Sequence, residues 1–417
     1  MFWQRFRLSL VAPGTAVRGR VTWLTVLCVS SALSLALTPG AQAAKPKPVH
    51  VSCGETITTD TKLTNDLTNC PHSGIIIGAD DITLDLNGHT IDGAGDGAGV
   101  ENLGHDRISI KGGSVREFAD GILIAEATDN RLRDLRVSDS GHVGINVLDS
   151  VDVRIETSSV VASRAAGISF ERGSRAQVTK TKSSANGQSG IALVDSSRVR
   201  IAQSELFGNA AGAGVERSPH TRIERSSVFD NREDGVLLRE GSDHSVVSQN
   251  SVTGNAFGIG LDIGTAHIRV TKNTLRNNTV VGVYLAASDD NVITQNSVIG
   301  NGDGAEGGIH LLAQPDDPTN TSDRNLISQN TLTGNDPDGI LVEAGQRENV
   351  VERNRSSGNA DDGIDVDSSA TTITKNTANR NGDLGIEAVP GVTDGGGNKA
   401  SGNGNLLQCT NVLCNER

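Results

Sequence analysis

A short pattern recurs through this chain with a period near 23 residues, and no other feature limits the fold as strongly. Glycine, then isoleucine or valine, then any residue, then usually an apolar one, occurs at Gly121-Ile122-Leu123-Ile124, Gly144-Ile145-Asn146-Val147, Gly167-Ile168-Ser169-Phe170 and Gly190-Ile191-Ala192-Leu193. It continues at Gly214-Val215, Gly235-Val236, Gly258-Ile259, Gly282-Val283, Gly308-Ile309, Gly339-Ile340, Gly363-Ile364 and Gly385-Ile386, with weaker starts at Gly74-Ile75 and Gly99-Val100. Two asparagine series keep the same beat. One runs Asn186, Asn209, Asn231, Asn255 and onward to Asn403; the other runs Asn250, Asn273, Asn296, Asn330, Asn354, Asn376. Such self-similarity means a solenoid, whose unit is too small to bury its own apolar face and stacks on its neighbours instead.

The residue types choose among solenoids. Apolar positions alternate over short stretches, as in Ile82-Leu84-Leu86 and Ile309-Leu311; many are β-branched, and glycine, asparagine and aspartate punctuate them. That is strand and turn chemistry, without a helical spacing or the scaffold of a leucine-rich repeat. Three short strands per repeat give one triangular coil, whose backbone groups pair with the next coil about 4.8 Å along the axis. The expected fold is all-β: a single-stranded right-handed parallel β-helix of about 13 coils. Ile122, Ile145, Ile168, Ile191, Val215, Val236 and Ile259 should form an inward column. The asparagines should sit at turns, take the left-handed conformation and bond through their amides to the next copy. Arg217 falls where an inward residue is expected, so a bulge over residues 212–217 is predicted.

The segment Asp81-Ile82-Thr83-Leu84-Asp85-Leu86-Asn87-Gly88-His89-Thr90-Ile91-Asp92-Gly93, with the asparagine-rich coils that follow, resembles the right-handed parallel β-helix proteins of the pectin-lyase-like superfamily. It is most similar to members with NosD-like, sugar-hydrolase-type (CASH) repeats, over roughly residues 53–415. The resemblance implies the fold. That fold carries lyases, hydrolases, epimerases, adhesins and a copper-enzyme accessory protein, so activity has to be argued from a site.

The head of the chain is foreign to the repeats. Arg5, Arg7, Arg18 and Arg20 precede an apolar run from Val21 to Leu37, followed by Thr38-Pro39-Gly40 and Ala41-Gln42-Ala43. Charged start, apolar middle and small-residue exit are the parts of an export signal. Residues 1–44 are therefore expected to be a signal peptide, and 45–417 the β-helix domain of a secreted, monomeric protein with no further membrane span. The four cysteines beyond the head form two close pairs, Cys53/Cys70 and Cys409/Cys414, one at each end. In an exported protein these should be disulfides, placed where exposed sheet edges need caps.

Charge narrows the partners. Without the four head arginines, 33 basic residues face 50 acidic ones, and the net charge falls from −13 to −17. Nucleic acid is disfavoured. With no tryptophan left, one tyrosine and five phenylalanines, so is a module built on aromatic platforms. Copper delivery is disfavoured too: Met1 is the only methionine, the cysteines are expected to be bonded, and the histidines show no ladder spacing.

In a stack of like rows, a site should show as broken regularity. Two insertions flank one strand: Gly302-Asp303-Gly304-Ala305-Glu306-Gly307 before Ile309, and Ala313 through Asp323 after it. Loop growth on one face of a solenoid often marks its binding face. The third position of the motif should point outward. Down the chain it reads Leu123, Asn146, Ser169, Ala192, Glu216, Leu237, Gly260, Tyr284, His310, Leu341, Asp365, Glu387, with Glu343 and Asp367 two residues further along their strands. Tyr284, His310, Glu343 and Glu387 are the candidate polysaccharide-binding residues, Tyr284 by stacking on a sugar ring and His310 as a base or ligand.

The densest acid cluster is Asp361-Asp362-Gly363-Ile364-Asp365-Val366-Asp367, with Asp338 expected beneath Asp361. Carboxylates packed from adjacent coils repel one another without a cation, and calcium takes six to eight oxygens. The stretch Asn359 to Asp365 is also similar to the calcium-binding aspartate motif of the family 9 pectate lyases, which implies Asp338, Asp361, Asp362 and Asp365 as calcium ligands. A lyase of that kind also needs a lysine base near the calcium. Lys375 and Lys399 should project from other faces, which weighs against β-elimination. Hydrolysis would need two carboxylates across the bond, and Asp365 with Glu387 or Glu343 offers such a pair. The leading expectation is a protein that binds or processes a polysaccharide or cell-wall glycan. The alternatives are a non-catalytic structural or cell-surface β-helix and a calcium-dependent, pectate-lyase-like enzyme.

Overall fold

The computed structural model describes residues 47–302, 304 and 306–415; the expected export signal and its cleavage point lie outside them. Every named element is a strand, and every strand pairing is parallel. Fifteen strands, from Glu55–Ile57 to Ile386–Ala388, stack as the first sheet. The other thirty form the second and third faces, joined where the strands Ser109–Arg116 and Arg131–Ser138 run over both. One coil is typified by Ser189–Val194 on the first face, Arg200–Ala202 on the second and Glu205–Phe207 on the third.

There are thus about 15 coils rather than 13. The weak starts at Gly74 and Gly99 are full coils, and Glu55–Ile57 opens another, with Gly54 in the glycine slot but Glu55 where the later coils carry isoleucine or valine. The inward column is as expected except at Val215, whose place Ala213 takes; Ile122, Ile145, Ile168 and Ile191 are stacked in register and fully buried. Burial of each such side chain contributes about 2 kcal/mol. Both terminal cysteine pairs are bonded, Cys53–Cys70 and Cys409–Cys414.

The predicted bulge at 212–217 is not there. Ala213 pairs with Ile191 and Val215 with Leu193, so the coil's motif is Gly212-Ala213-Gly214-Val215. The Ala-Gly-Ala-Gly run hides a two-residue slip. Gly214, not Glu216, holds the outward slot, and Arg217 lies outside, with its Nε on Asp195 at 2.7 Å and a terminal nitrogen on Glu240 at 2.8 Å.

The asparagine series are buried ladders. Asn255 donates its backbone N–H and its side-chain amide to Oδ1 of Asn278, each at 3.1 Å, and Asn278 treats Asn301 in the same way at 3.0 and 2.8 Å. The left-handed residue is not the asparagine but the one before it: Gln249, Lys272 and Gln295 have φ near +57°. The chain turns the corner one residue early, which points the corner side chain at solvent and the asparagine inward. The longer ladder ends at Gln408, whose Oε1 accepts both donors of Asn403 at 3.1 and 3.0 Å. The histidines are not all scattered, either. His220, His244 and His267 occupy one corner on successive coils and stack with ring centroids 5.4 and 4.9 Å apart.

Candidate functional site

On the first sheet, strict alternation sends Val283/Leu285, Ile309/Leu311, Ile340/Val342 and Ile364/Val366 inward. Tyr284, His310, Leu341, Asp365 and Glu387 are left in register on the outer surface. The row expected from the sequence is in register at every position except Glu216, whose place Gly214 takes.

Outward does not mean exposed. Tyr284 is only 3 % exposed. Its ring lies over Gly260, where a Cβ would come within 2.4 Å of the ring carbon Cζ. Phe257 meets it edge-on at 5.6 Å and 71°. Its hydroxyl reaches two coils back and donates to Asp234 Oδ1 at 3.2 Å. Burial pushes the Asp234 carboxyl up to about 7. With Val281, Ala286 and Leu312, the ring forms a small apolar cluster on the outside of the helix. The expected sugar-stacking platform is therefore corrected: Tyr284 is a packed wall, not an open surface.

His310 is equally buried at 3 %. Its Nε2 lies 3.0 Å from Glu343 Oε1 and its Nδ1 3.6 Å from Glu306 Oε2. Burial by itself would favour the neutral ring, but the two carboxylates outweigh it and push His310 up to about 9. An imidazolium held on both sides is a positioning group rather than a free base. Glu306, which the sequence reading did not single out, comes from the first insertion; only its residue count signalled it. The second insertion closes on itself, with Asp317 N–H donating to Gln314 O at 3.0 Å and Gln314 N–H to Asn320 O at 2.9 Å.

The expected acid cluster assembles, with a changed register. Asp338 stacks with Asp362, not Asp361: its Oδ1 accepts the Asp362 N–H at 2.8 Å, while the Asp361 N–H donates to Pro337 O at 3.0 Å. Asp362 Oδ1 accepts from Leu384 N–H at 2.6 Å. Carboxylate oxygens of Asp338, Asp361 and Asp362 lie within 4.8 Å of one another, as do those of Asp362, Asp365 and Glu387. Glu387, expected on substrate, thus joins the metal candidates. Burial and the neighbouring acids push Asp338 up to about 6 and Asp365 to about 7. Burial and a hydrogen bond shared with Glu387 push Asp362 to about 8. Asp365 Oδ1 is buried without a hydrogen-bond partner. An all-oxygen set with an orphaned carboxylate oxygen fits a hard divalent cation.

Among the described residues, no strand of the first sheet carries a lysine. Lys375 sits at a corner with φ +56°, and Lys399 lies on the third face beside Thr377.

These features define a right-handed parallel β-helix with a polar cluster on the outer surface of its first sheet. Residues 58–203, 120–275, 166–321 and 263–411 match the family model for the right handed beta helix region, and the chain belongs to that family. Comparison with curated proteins finds no match. Among solved structures, the chain is similar to the catalytic unit of a GH87 α-1,3-glucanase from Streptomyces thermodiastaticus, with 15 % identity over 72 % of this chain and 64 % of that one and a TM-score of 0.51. It is also similar to the A-module of the mannuronan C-5 epimerase AlgE6 from Azotobacter vinelandii, with 13 % identity, 89 % and 91 % coverage and a TM-score of 0.45. A third is PfbA, a surface adhesin of Streptococcus pneumoniae, with 11 % identity, 71 % and 84 % coverage and a TM-score of 0.39. At these identities the likeness is one of fold. No helix among the described residues is long and apolar enough to cross a membrane.

Proposed function

We propose that the protein is exported and takes a polysaccharide chain along the outer surface of its first sheet, between the coils of Tyr284 and Glu387, with calcium as the anchor. The observation that carries this is the orphaned Asp365 Oδ1 inside a cluster of mutually repelling carboxylates. Asp362, Asp365 and Glu387 would hold the ion beside the orphaned oxygen, and Asp338 and Asp361 form a second triad with Asp362 that would hold or share one. Bound there, calcium supplies positive charge that offsets these acids and attracts a uronate carboxylate or sugar hydroxyls of the polymer. Asp338 and Asp362 use Oδ1 on backbone N–H groups, which fixes their orientation and keeps Oδ2 for the ion. His310 fixes Glu306 and Glu343 beside the chain's path. The two disulfides suit an oxidising compartment. A lysine-based elimination finds no support on this sheet.

The test is retention on immobilised polygalacturonate and on neutral glycans, with calcium or with chelator, scored for bound protein and released product. Calcium-dependent retention supports the reading. No retention on any polymer in either condition overturns it in favour of a purely structural solenoid.

A further inference from the structure

The second face breaks its own pattern in a way the first sheet does not explain. Its outward rows carry ion pairs on several early coils, with Thr179 and Ala202 as uncharged members between Glu156 and Glu224. Lys111 lies 3.4 Å from Asp85, Arg131 binds Glu156 at 2.5 Å and Arg200 binds Glu224 at 2.5 Å. In register beyond Glu224, the row becomes Ser248, Thr271, Thr294, Ser328, and only at Glu352 does charge return. The parallel row turns apolar at Val246, Val292 and Leu326, interrupted by Arg269. The corner beside them presents Gln249, Gln295 and Gln329, with Lys272 between. Together these rows line an open trough of about 590 Å³ running along the helix axis. Ser328 Oγ donates to Thr294 Oγ1 at 3.1 Å on its floor, and Gln295 Nε2 donates to Gln329 Oε1 at 3.3 Å along its rim.

The geometry points to a second glycan groove, on this face, for an uncharged, extended polysaccharide lying parallel to the axis. Four consecutive coils carry hydroxyls, half-buried at Ser248 and Thr271 and buried in a mutual bond at Thr294 and Ser328, beside a strip that is apolar at Val246, Val292 and Leu326; these are the two chemistries that the edges and faces of a neutral sugar present. The carboxamide rim both donates and accepts, which suits hydroxyls rather than carboxylates. Coils repeat about every 4.8 Å, so a 1,4-linked chain in extended form advances by about one coil per sugar, and successive rings meet successive coils. Charge in the trough is confined to Arg269 and Lys272 near its middle and Glu352 at its end; the other lining groups are hydroxyls, carboxamides and aliphatic side chains, so most of its length offers an acidic polymer no ion pair. The groove stands apart from the calcium-anchored surface, and its occupancy needs no cation.

Native electrophoresis of the full chain through gels containing barley mixed-linkage β-glucan, with chelator present, tests this. Wild type and the first-sheet variant Asp361→Ala/Asp365→Ala should both be slowed, and polygalacturonate under the same conditions should slow neither. Thr271→Glu/Val292→Glu, which puts two charges into the trough, should abolish the slowing with its melting temperature kept. Gln295 is exposed, so Gln295→Ala leaves the core alone; loss of one hydrogen bond should weaken binding about fivefold, which keeps the test valid if the double variant unfolds. An unslowed wild type overturns the groove. So does slowing that survives both trough variants, or slowing lost in the first-sheet variant.

Discussion

The ring of Tyr284 rests directly on Gly260 of the preceding coil, in the one outward slot of that strand where no Cβ stands in its way. Neither residue's environment follows from its own coil. Gly260→Ala should lift the ring, disturb its contact with Phe257 and its bond to Asp234, and cost about 1–3 kcal/mol by overpacking. Urea denaturation, with the near-ultraviolet circular dichroism of the single tyrosine, checks both effects. An unchanged tyrosine signal would mean that the ring does not depend on this glycine.

His310 makes stability depend on pH. Its folded value, about 9, lies above the 6.5 of an unperturbed histidine, so the folded state binds the proton more tightly. That contribution is complete below about 6.5, declines as pH rises and is lost above 9; it is on the order of 3 kcal/mol. Glu343→Gln removes one carboxylate. It should lower the imidazole titration seen by NMR and flatten the fall in stability between these pH values.

The acid cluster has the same sign for a different reason. Asp338, Asp362 and Asp365 hold protons more tightly folded than unfolded. Without a cation, their contribution should decline as pH rises from about 4 to 8. Calcium should therefore raise the melting temperature more at pH 8 than at pH 5, and Asp361→Ala/Asp365→Ala should remove that gain. Equal calcium shifts in wild type and variant would place the ion elsewhere.

Asn278→Ala tests the ladder. It strands the backbone and side-chain donors of Asn255 and the carbonyl of Val252 in a dry interior. A loss of roughly 3 kcal/mol is expected. Hydrogen exchange should show it concentrated in the neighbouring coils, because repeats couple mainly to their neighbours.

The architecture was legible because stacking forces like residues onto like. The Ile122 to Ile191 column and the asparagine beat are that physics written out. Errors arose where the local text is degenerate or the cause is remote. Ala211-Gly212-Ala213-Gly214 reads equally well in two registers, and only the neighbours of Ala213 choose between them. The histidine column was missed because its members sit at corners, outside the strand motif. The 23-residue spacing pairs Asp338 with Asp361, whereas hydrogen bonding pairs it with Asp362. The burial of His310 depends on Glu306 in an irregular insertion and on Glu343 from the next coil, and no periodicity reports either.

Gln408 closes the longer asparagine series with one extra methylene and the same amide. Each rung below it hands the next an almost identical surface, so nothing within the stack records how many rungs have gone before. Length is then a free variable. Duplicating residues 209–230 would add one storey to the rod, with both disulfide-bonded ends kept and no new kind of interface required. What such a molecule holds constant is its cross-section, and its reach is set by where the counting stops.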